Sequence, residues 1–104
     1  MIGYGLALPN GGVDPQTMAE FAAVAEASGW DGVFVEDYIW QGDQNMPTFD
    51  PWVLLAAMAM RTKRISLSTQ ITPLARRRPW KAACEAMILD HLSNGRVMRH
   101  ICTL

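Results

Sequence analysis

Only two cysteines, Cys84 and Cys102, occur in the 104 residues. Their spacing fits no metal-binding pattern, and two cysteines do not build a disulfide framework. Both are therefore expected to be reduced, as in the cytoplasm. Histidine is equally scarce. His91 and His100 have no second ligand pattern beside them, which argues against a metal site. Charge of one sign is missing too: nine Lys and Arg face ten Asp and Glu, for a net charge of −1. Nucleic-acid binders usually carry a basic excess on one face, so none is expected as a partner. There is no uncharged apolar run of roughly 18 residues, the length needed to span a membrane. There is also no basic segment ahead of an apolar one at the N-terminus, which argues against a secretory signal. What remains is 50% hydrophobic and 18% charged, a globular profile with length for one small core.

A strand-helix rhythm runs through the chain. Ile2 to Leu8 is short, apolar and closed by Pro9-Asn10-Gly11-Gly12, which predicts a strand and a loop. Asp14-Pro15 is a helix start, with Asp as N-cap and Pro at the first helical position. Met18, Phe21, Ala22 and Ala25 then form an apolar stripe, and Gly29 is a natural left-handed stop. Val33-Phe34-Val35 is a second strand, ending at Glu36-Asp37. Tyr38 to Phe49 is a long irregular connection, the kind that often carries function. Asp50-Pro51 repeats the helix start. Trp52 to Met60 is apolar nearly all round and is predicted to be heavily buried.

Ile65, Leu67, Thr69 and Ile71 alternate with Ser66, Ser68 and Gln70, the period of a strand. The polar set must face water, a ligand or a polar barrel layer. Pro79 opens a third helix running to about Leu92, with Trp80, Ala83, Met87 and Leu92 on one side. After the Asn94-Gly95 turn, Val97-Met98 begins a fourth strand. The period is roughly thirty residues, which suits repeated βα units with parallel strands. Three helices and four strands form either a small open α/β layer or part of something larger.

Three runs carry a resemblance. They are Ala27-Ser28-Gly29-Trp30-Asp31-Gly32-Val33-Phe34-Val35-Glu36-Asp37, Asp50-Pro51-Trp52 through Arg61-Thr62-Lys63-Arg64-Ile65, and Thr72-Pro73-Leu74-Ala75-Arg76-Arg77-Arg78-Pro79-Trp80 with Leu89-Asp90-His91-Leu92-Ser93-Asn94-Gly95-Arg96. In this order they resemble the N-terminal part of luciferase-like monooxygenases, over roughly residues 1 to 97. The resemblance implies an α/β fold: the N-terminal portion of a (β/α)₈ barrel, about three βα units plus the start of strand four. Residues 1–104 would form a partial barrel domain. It further implies a flavin- or deazaflavin-dependent oxidoreductase or monooxygenase, with FMN or coenzyme F420 as cofactor and a small organic substrate. Two features depart from the family pattern. Val97 to Leu104 replaces an apolar, Gly-rich run, and Arg99 and His100 suit a buried strand poorly; the expectation is a truncated or frameshifted product. Tyr38 stands where many relatives have histidine.

In parallel α/β barrels, chemistry sits at the C-terminal strand ends. This selects Leu8, Asp37 and the segment Thr69 to Thr72. By resemblance, Asp37 and Tyr38 border the redox-active ring, with Tyr38 and Trp40 toward substrate. Also by resemblance, Thr69-Gln70-Ile71 matches a bulge that supports the isoalloxazine, often with a non-prolyl cis peptide. The plainer readings are that Asp37 caps a loop, Tyr38 and Trp40 pack, and the segment is an ordinary strand end. Arg76-Arg77-Arg78 reads more readily as a solvated basic turn than as an anion site. Trp30, Trp52 and Trp80 read as packing residues. The alternative to an enzyme is a non-catalytic fragment that associates through open sheet edges, giving a homodimer.

Overall fold

The computed structural model describes residues 3–37 and 48–98, and the backbone of 101–102. Tyr38 and Trp40 lie outside the described residues. The order is β1 (Gly5–Leu8), α1 (Pro15–Ala27), β2 (Gly32–Glu36), α2 (Pro51–Arg61), β3 (Ser66–Gln70), β4 (Thr72–Pro73), a 3₁₀ turn (Leu74–Arg76), α3 (Pro79–Leu92) and β5 (Ile101–Cys102). Both Asp-Pro starts behave as read. The Asp14 carboxylate accepts the Thr17 N–H at 2.9 Å, and Asp50 accepts the Val53 N–H at 2.9 Å. Gly29 follows the α1 cap with φ of 92°, a conformation only glycine takes cheaply.

β1, β2 and β3 form a parallel sheet in chain order. Right-handed crossovers between strands in sequential order place α1 and α2 on the same side. The register confirms one covered face. Leu8, Val35 and Thr69 stand side by side, as do Leu6, Val33 and Leu67. Leu8, Val33, Val35 and Leu67 are buried against Met18, Ala22, Leu55 and Met58. The other face carries Gly5, Ala7, Phe34, Glu36, Ser66 and Gln70, exposed or half-buried, with Gly32 and Ser68 buried among them. Phe34 lies across Gly5, where a Cβ would overlap its ring.

α3 corrects one expectation. Trp80, Ala83, Met87 and Leu92 were read as a packing stripe, yet all four are exposed. Ala82 and Leu89 are buried instead. The helix is apolar on every side, so periodicity could not select the face that packs. α2 is heavily buried as expected, through Pro51, Trp52, Leu54, Leu55, Met58 and Ala59, although Val53 and Met60 are exposed; Trp80 is not a packing residue. No helix among the described residues is long and apolar enough to cross a membrane.

The N-terminal end of the sheet is tied by two charged residues. The Glu26 carboxylate accepts the N–H groups of Lys63, Arg64 and Ile65, at 2.9, 2.7 and 2.9 Å at their shortest. Arg96 donates to Ala59 O, Thr62 O, Ile65 O and Ser93 O, and to Thr62 Oγ1. Burial pushes the Glu26 carboxyl up, but the three N–H donors and the Arg96 charge outweigh it and hold it below the usual glutamate range. A lowered folded value means that Glu26 stabilises the fold above the unfolded glutamate pKa, about 4.3. That contribution is lost as pH falls through the lower folded value. Urea unfolding from pH 7 down to pH 3 is therefore expected to show a steeper loss of stability in the wild type than in Glu26→Gln. Equal slopes would refute this role.

Candidate functional site

The C-terminal ends of the strands gather the chemistry. β3 does not simply end at Gln70. Leu67 bridges Val97 in parallel, and beyond it Thr72 pairs with Ile101. Five steps along the third strand, from 67 to 72, thus face four along its neighbour, from 97 to 101. One extra residue is accommodated at Gln70-Ile71. This is a bulge, a device that re-aims side chains and is enriched beside active sites. The Gln70–Ile71 peptide bond is cis, where the resemblance placed one.

The bulge is held from within. The Thr69 and Thr72 side-chain hydroxyls bond each other, and both residues are 1% exposed. Ser68 Oγ donates to Met98 O at 2.7 Å, fixing the incoming fourth strand. Gln70 and Ile71 are exposed, Ile71 by 48%. The polar set of β3 therefore divides: Ser68 is spent on the neighbouring strand, while Gln70 is free to meet a ligand. The Leu8 and Thr69 side chains point to the covered, helix-facing side. Of these two candidates only the backbone lies at the strand-end edge.

Asp37 is occupied rather than available. Its carboxylate takes a forked pair from Arg77, Nε at 3.2 Å and Nη2 at 3.0 Å to the same oxygen, with Nη2 also 3.1 Å from the other. The Asp37 side chain is 6% exposed and that of Arg77 17%. Arg77 also reaches Glu85 at 3.2 Å and Asp50 at 3.7 Å, so one guanidinium joins the end of β2 to the start of α2 and the middle of α3. Arg76 donates to Asp37 O at 2.6 Å. The solvated reading of the arginine triplet is thus corrected: Arg77 is a half-buried hub, while Arg76 and Arg78 are exposed. Sequence spacing could not single it out, because Asp37 lies 40 residues away.

Asn10 was missed altogether. It is fully buried; its amide donates to Glu36 O at 3.0 Å and to Phe49 O, and it accepts the Phe49 N–H at 2.9 Å. Both ends of the long connection from β2 are pinned by it. The signal was present in the Pro9-Asn10-Gly11-Gly12 turn, since asparagine hydrogen-bonds backbone readily in such turns. Among the described residues, no group of three or more His, Cys, Asp or Glu is placed to hold a metal.

Known proteins share this fold. The family profile described as "Luciferase-like monooxygenase" matches residues 3–103. A Mycobacterium tuberculosis protein, named provisionally as a coenzyme F420-dependent oxidoreductase, is 38% identical over 86 residues, 83% of this chain and 22% of its own. An F420-dependent glucose-6-phosphate dehydrogenase of Amycolatopsis mediterranei is 36% identical over 89 residues, 81% of this chain and 26% of its own. Among solved structures, the coenzyme F420-dependent tetrahydromethanopterin reductase of Methanopyrus kandleri superposes with a TM-score of 0.83 at 25% identity, covering 96% of this chain and 26% of its own. A type II Baeyer-Villiger monooxygenase of Pseudomonas putida, solved with FMN, gives 0.80 at 26% identity, with 98% and 29% covered. The chain spans about a quarter of the length of these proteins.

Proposed function

The chain belongs to the luciferase-like monooxygenase family, and from this we propose that its strand-end edge is the ring-binding part of an oxidoreductase that uses FMN or coenzyme F420. The bulge at Gln70-Ile71 carries the reading. It sets a large exposed apolar side chain and an exposed amide at the C-terminal edge of a parallel sheet, where such folds place their chemistry. The residues fit a planar, partly apolar ring. Ile71 offers apolar contact and Gln70 offers an amide donor and acceptor. Ala7 leaves the open face of β1 low beside Leu8. Asp37, already neutralised by Arg77, presents no free charge to repel an anionic cofactor.

The bound ring would supply hydride or electron-pair transfer, and this chain's residues would orient it. Gln70 and Ile71 would hold the ring, with the Leu8 backbone beside them. Thr69, Thr72 and Arg77 keep that edge in place from below. Tyr38 and Trp40, on the connection that starts and ends here, are the proposed substrate contacts. A small organic molecule is the substrate class, as the relatives' names imply for those proteins.

Titration of riboflavin 5′-phosphate and of coenzyme F420, followed by fluorescence, tests this. Saturable binding of one of them is expected, weakened about tenfold or more by Ile71→Asp, a loss of about 1.4 kcal/mol. No saturation by about 1 mM, which corresponds to roughly 4 kcal/mol of binding free energy, would overturn the proposal for this chain.

A further inference from the structure

Sequence position singles out Asp37 at the end of β2, but the residue before it is the one that faces the open side. Val33 and Val35 are buried against the helices, so alternation turns Phe34 and Glu36 to the open face of the sheet. There the side chains stand in three tiers. Gly5, Gly32 and Ser66 form the lowest, and Ala7, Phe34 and Ser68 the next. Glu36 and Gln70 form the last, adjoining the bulge. The Phe34 ring lies across Gly5 and fills the lowest tier. Glu36 and Gln70 are therefore the polar pair of the open face beside Ile71.

Glu36 is also uncommitted. Its backbone carbonyl takes the Asn10 amide, but among the described residues no hydrogen bond or ion pair reaches its carboxylate. Two arginines at this end are spent elsewhere: Arg77 on Asp37, Asp50 and Glu85, and Arg76 on the Asp37 carbonyl. β1 ends at Leu8, and Pro9 beyond it has no N–H to offer. A half-buried carboxylate thus stands one strand spacing, about 4.8 Å, from the exposed Gln70 amide. Together they present strong acceptors and an amide donor to the place where the ring is held.

We propose that the Glu36 carboxylate contacts the bound ring and accepts its imide N–H, with the Gln70 amide donating to the adjoining carbonyl. FMN and coenzyme F420 share this edge, one N–H between two carbonyls at the polar end of the ring. The rest of the ring is largely apolar and suits Ile71, so the polar end belongs on the polar pair. A hydrogen bond to an ionised acceptor is roughly twice as strong as a neutral one. The same carboxylate repels a phosphate, and so fixes which end of the cofactor enters. Asp37 does neither, because Arg77 has taken up its charge. The assignment rests on the cofactor reading above and adds to it the residue that recognises the ring edge.

The test titrates the whole chain with riboflavin 5′-phosphate and with its N3-methyl derivative, in which a methyl group replaces the imide hydrogen, and follows fluorescence. For the deazaflavin the pair is 8-hydroxy-5-deazariboflavin and its N3-methyl form. The wild type is expected to bind the methylated ring about tenfold or more weakly, a loss of roughly 1.4 kcal/mol. Glu36→Leu should bind the unmethylated ring about tenfold more weakly than the wild type does, and should no longer distinguish the two rings. Its far-ultraviolet circular dichroism should be unchanged, since the carboxylate has no internal partner to lose. Glu36→Gln keeps an acceptor oxygen without the charge and should retain part of both effects. Equal binding of the two rings by the wild type would overturn the assignment and leave the cofactor reading intact. Discrimination that survives undiminished in both variants would give the N–H to another acceptor and overturn it as well. Absence of saturable binding of any of these rings would overturn both.

Discussion

Replacing Arg77 by methionine is expected to lower the free energy of unfolding by about 3 kcal/mol, on the scale of breaking a buried ion pair by removing one partner. The forked pair with Asp37 is nearly closed to solvent. Methionine fills the volume of the side chain but leaves the Asp37 carboxylate buried with no cation. It also leaves Glu85 and Asp50 facing it without the charge that joined them. Lysine keeps the charge and loses the fork, so Arg77→Lys should fall between the two. Adding Asp37→Asn to Arg77→Met should recover part of the loss, because the uncompensated charge disappears. A domain of this size has only about 5–15 kcal/mol in total, so urea unfolding will resolve each step. A loss under about 1 kcal/mol for Arg77→Met would show that water reaches the pair and that the hub is not a buried one.

The second large effect lies at the opposite end of the strands. Arg96→Ala is expected to cost about 3 kcal/mol, given that a hydrogen bond to a charged group is worth about 1.5–3 kcal/mol and some of these acceptors can turn to water. Arg96 gathers the carbonyls that end α2, Ala59 O and Thr62 O at 3.0 Å each, together with Ile65 O at 3.0 Å and Ser93 O at 2.6 Å. Last-turn carbonyls have no partner within their own helix. The guanidinium supplies five donors in a fixed plane, which an ammonium cannot reproduce. Arg96→Lys should therefore restore less than half of the loss. Denaturant midpoints for the three proteins check this, and equal stability of Arg96→Lys and wild type would refute the multi-carbonyl role.

These two arginines also show which parts of the resemblance speak of stability. Arg61-Thr62-Lys63-Arg64-Ile65 and Ser93-Asn94-Gly95-Arg96 helped to carry it. Both runs lie at the N-terminal end of the sheet, in the Glu26 and Arg96 ties. In barrels that end reads as structural support, and the opposite end as chemistry. Thr72 to Pro79 belongs to the functional end, through the bulge and Arg77.

The candidate site was half legible. Gln70 and Ile71 stand exposed at the strand end, where the resemblance placed a bulge. Leu8 and Thr69 were chosen by strand-end position, but alternation turns their side chains to the helices. Asp37 was chosen for the same reason and is held by a partner 40 residues on. Asn10, buried between Glu36 and Phe49, looked like one polar residue in a turn. In each case the deciding contact is distant in sequence, and a pattern read over a dozen residues holds no record of it.

By itself, the sequence determined whatever depends on neighbours within a few turns. The Asp-Pro caps, the Gly29 stop, the order of strands and helices and the parallel layer all follow from local propensity and periodicity. Tertiary structure alone decided which face of α3 packs, which of three consecutive arginines turns inward, and how five steps of one strand match four of the next. α3 carries apolar residues on every side, the triplet is chemically uniform, and the bulge exists only as a mismatch between two strands. Where local preference is degenerate, the choice falls to long-range packing, and here that packing placed Gln70 and Ile71 at the open edge with Arg77 beneath them.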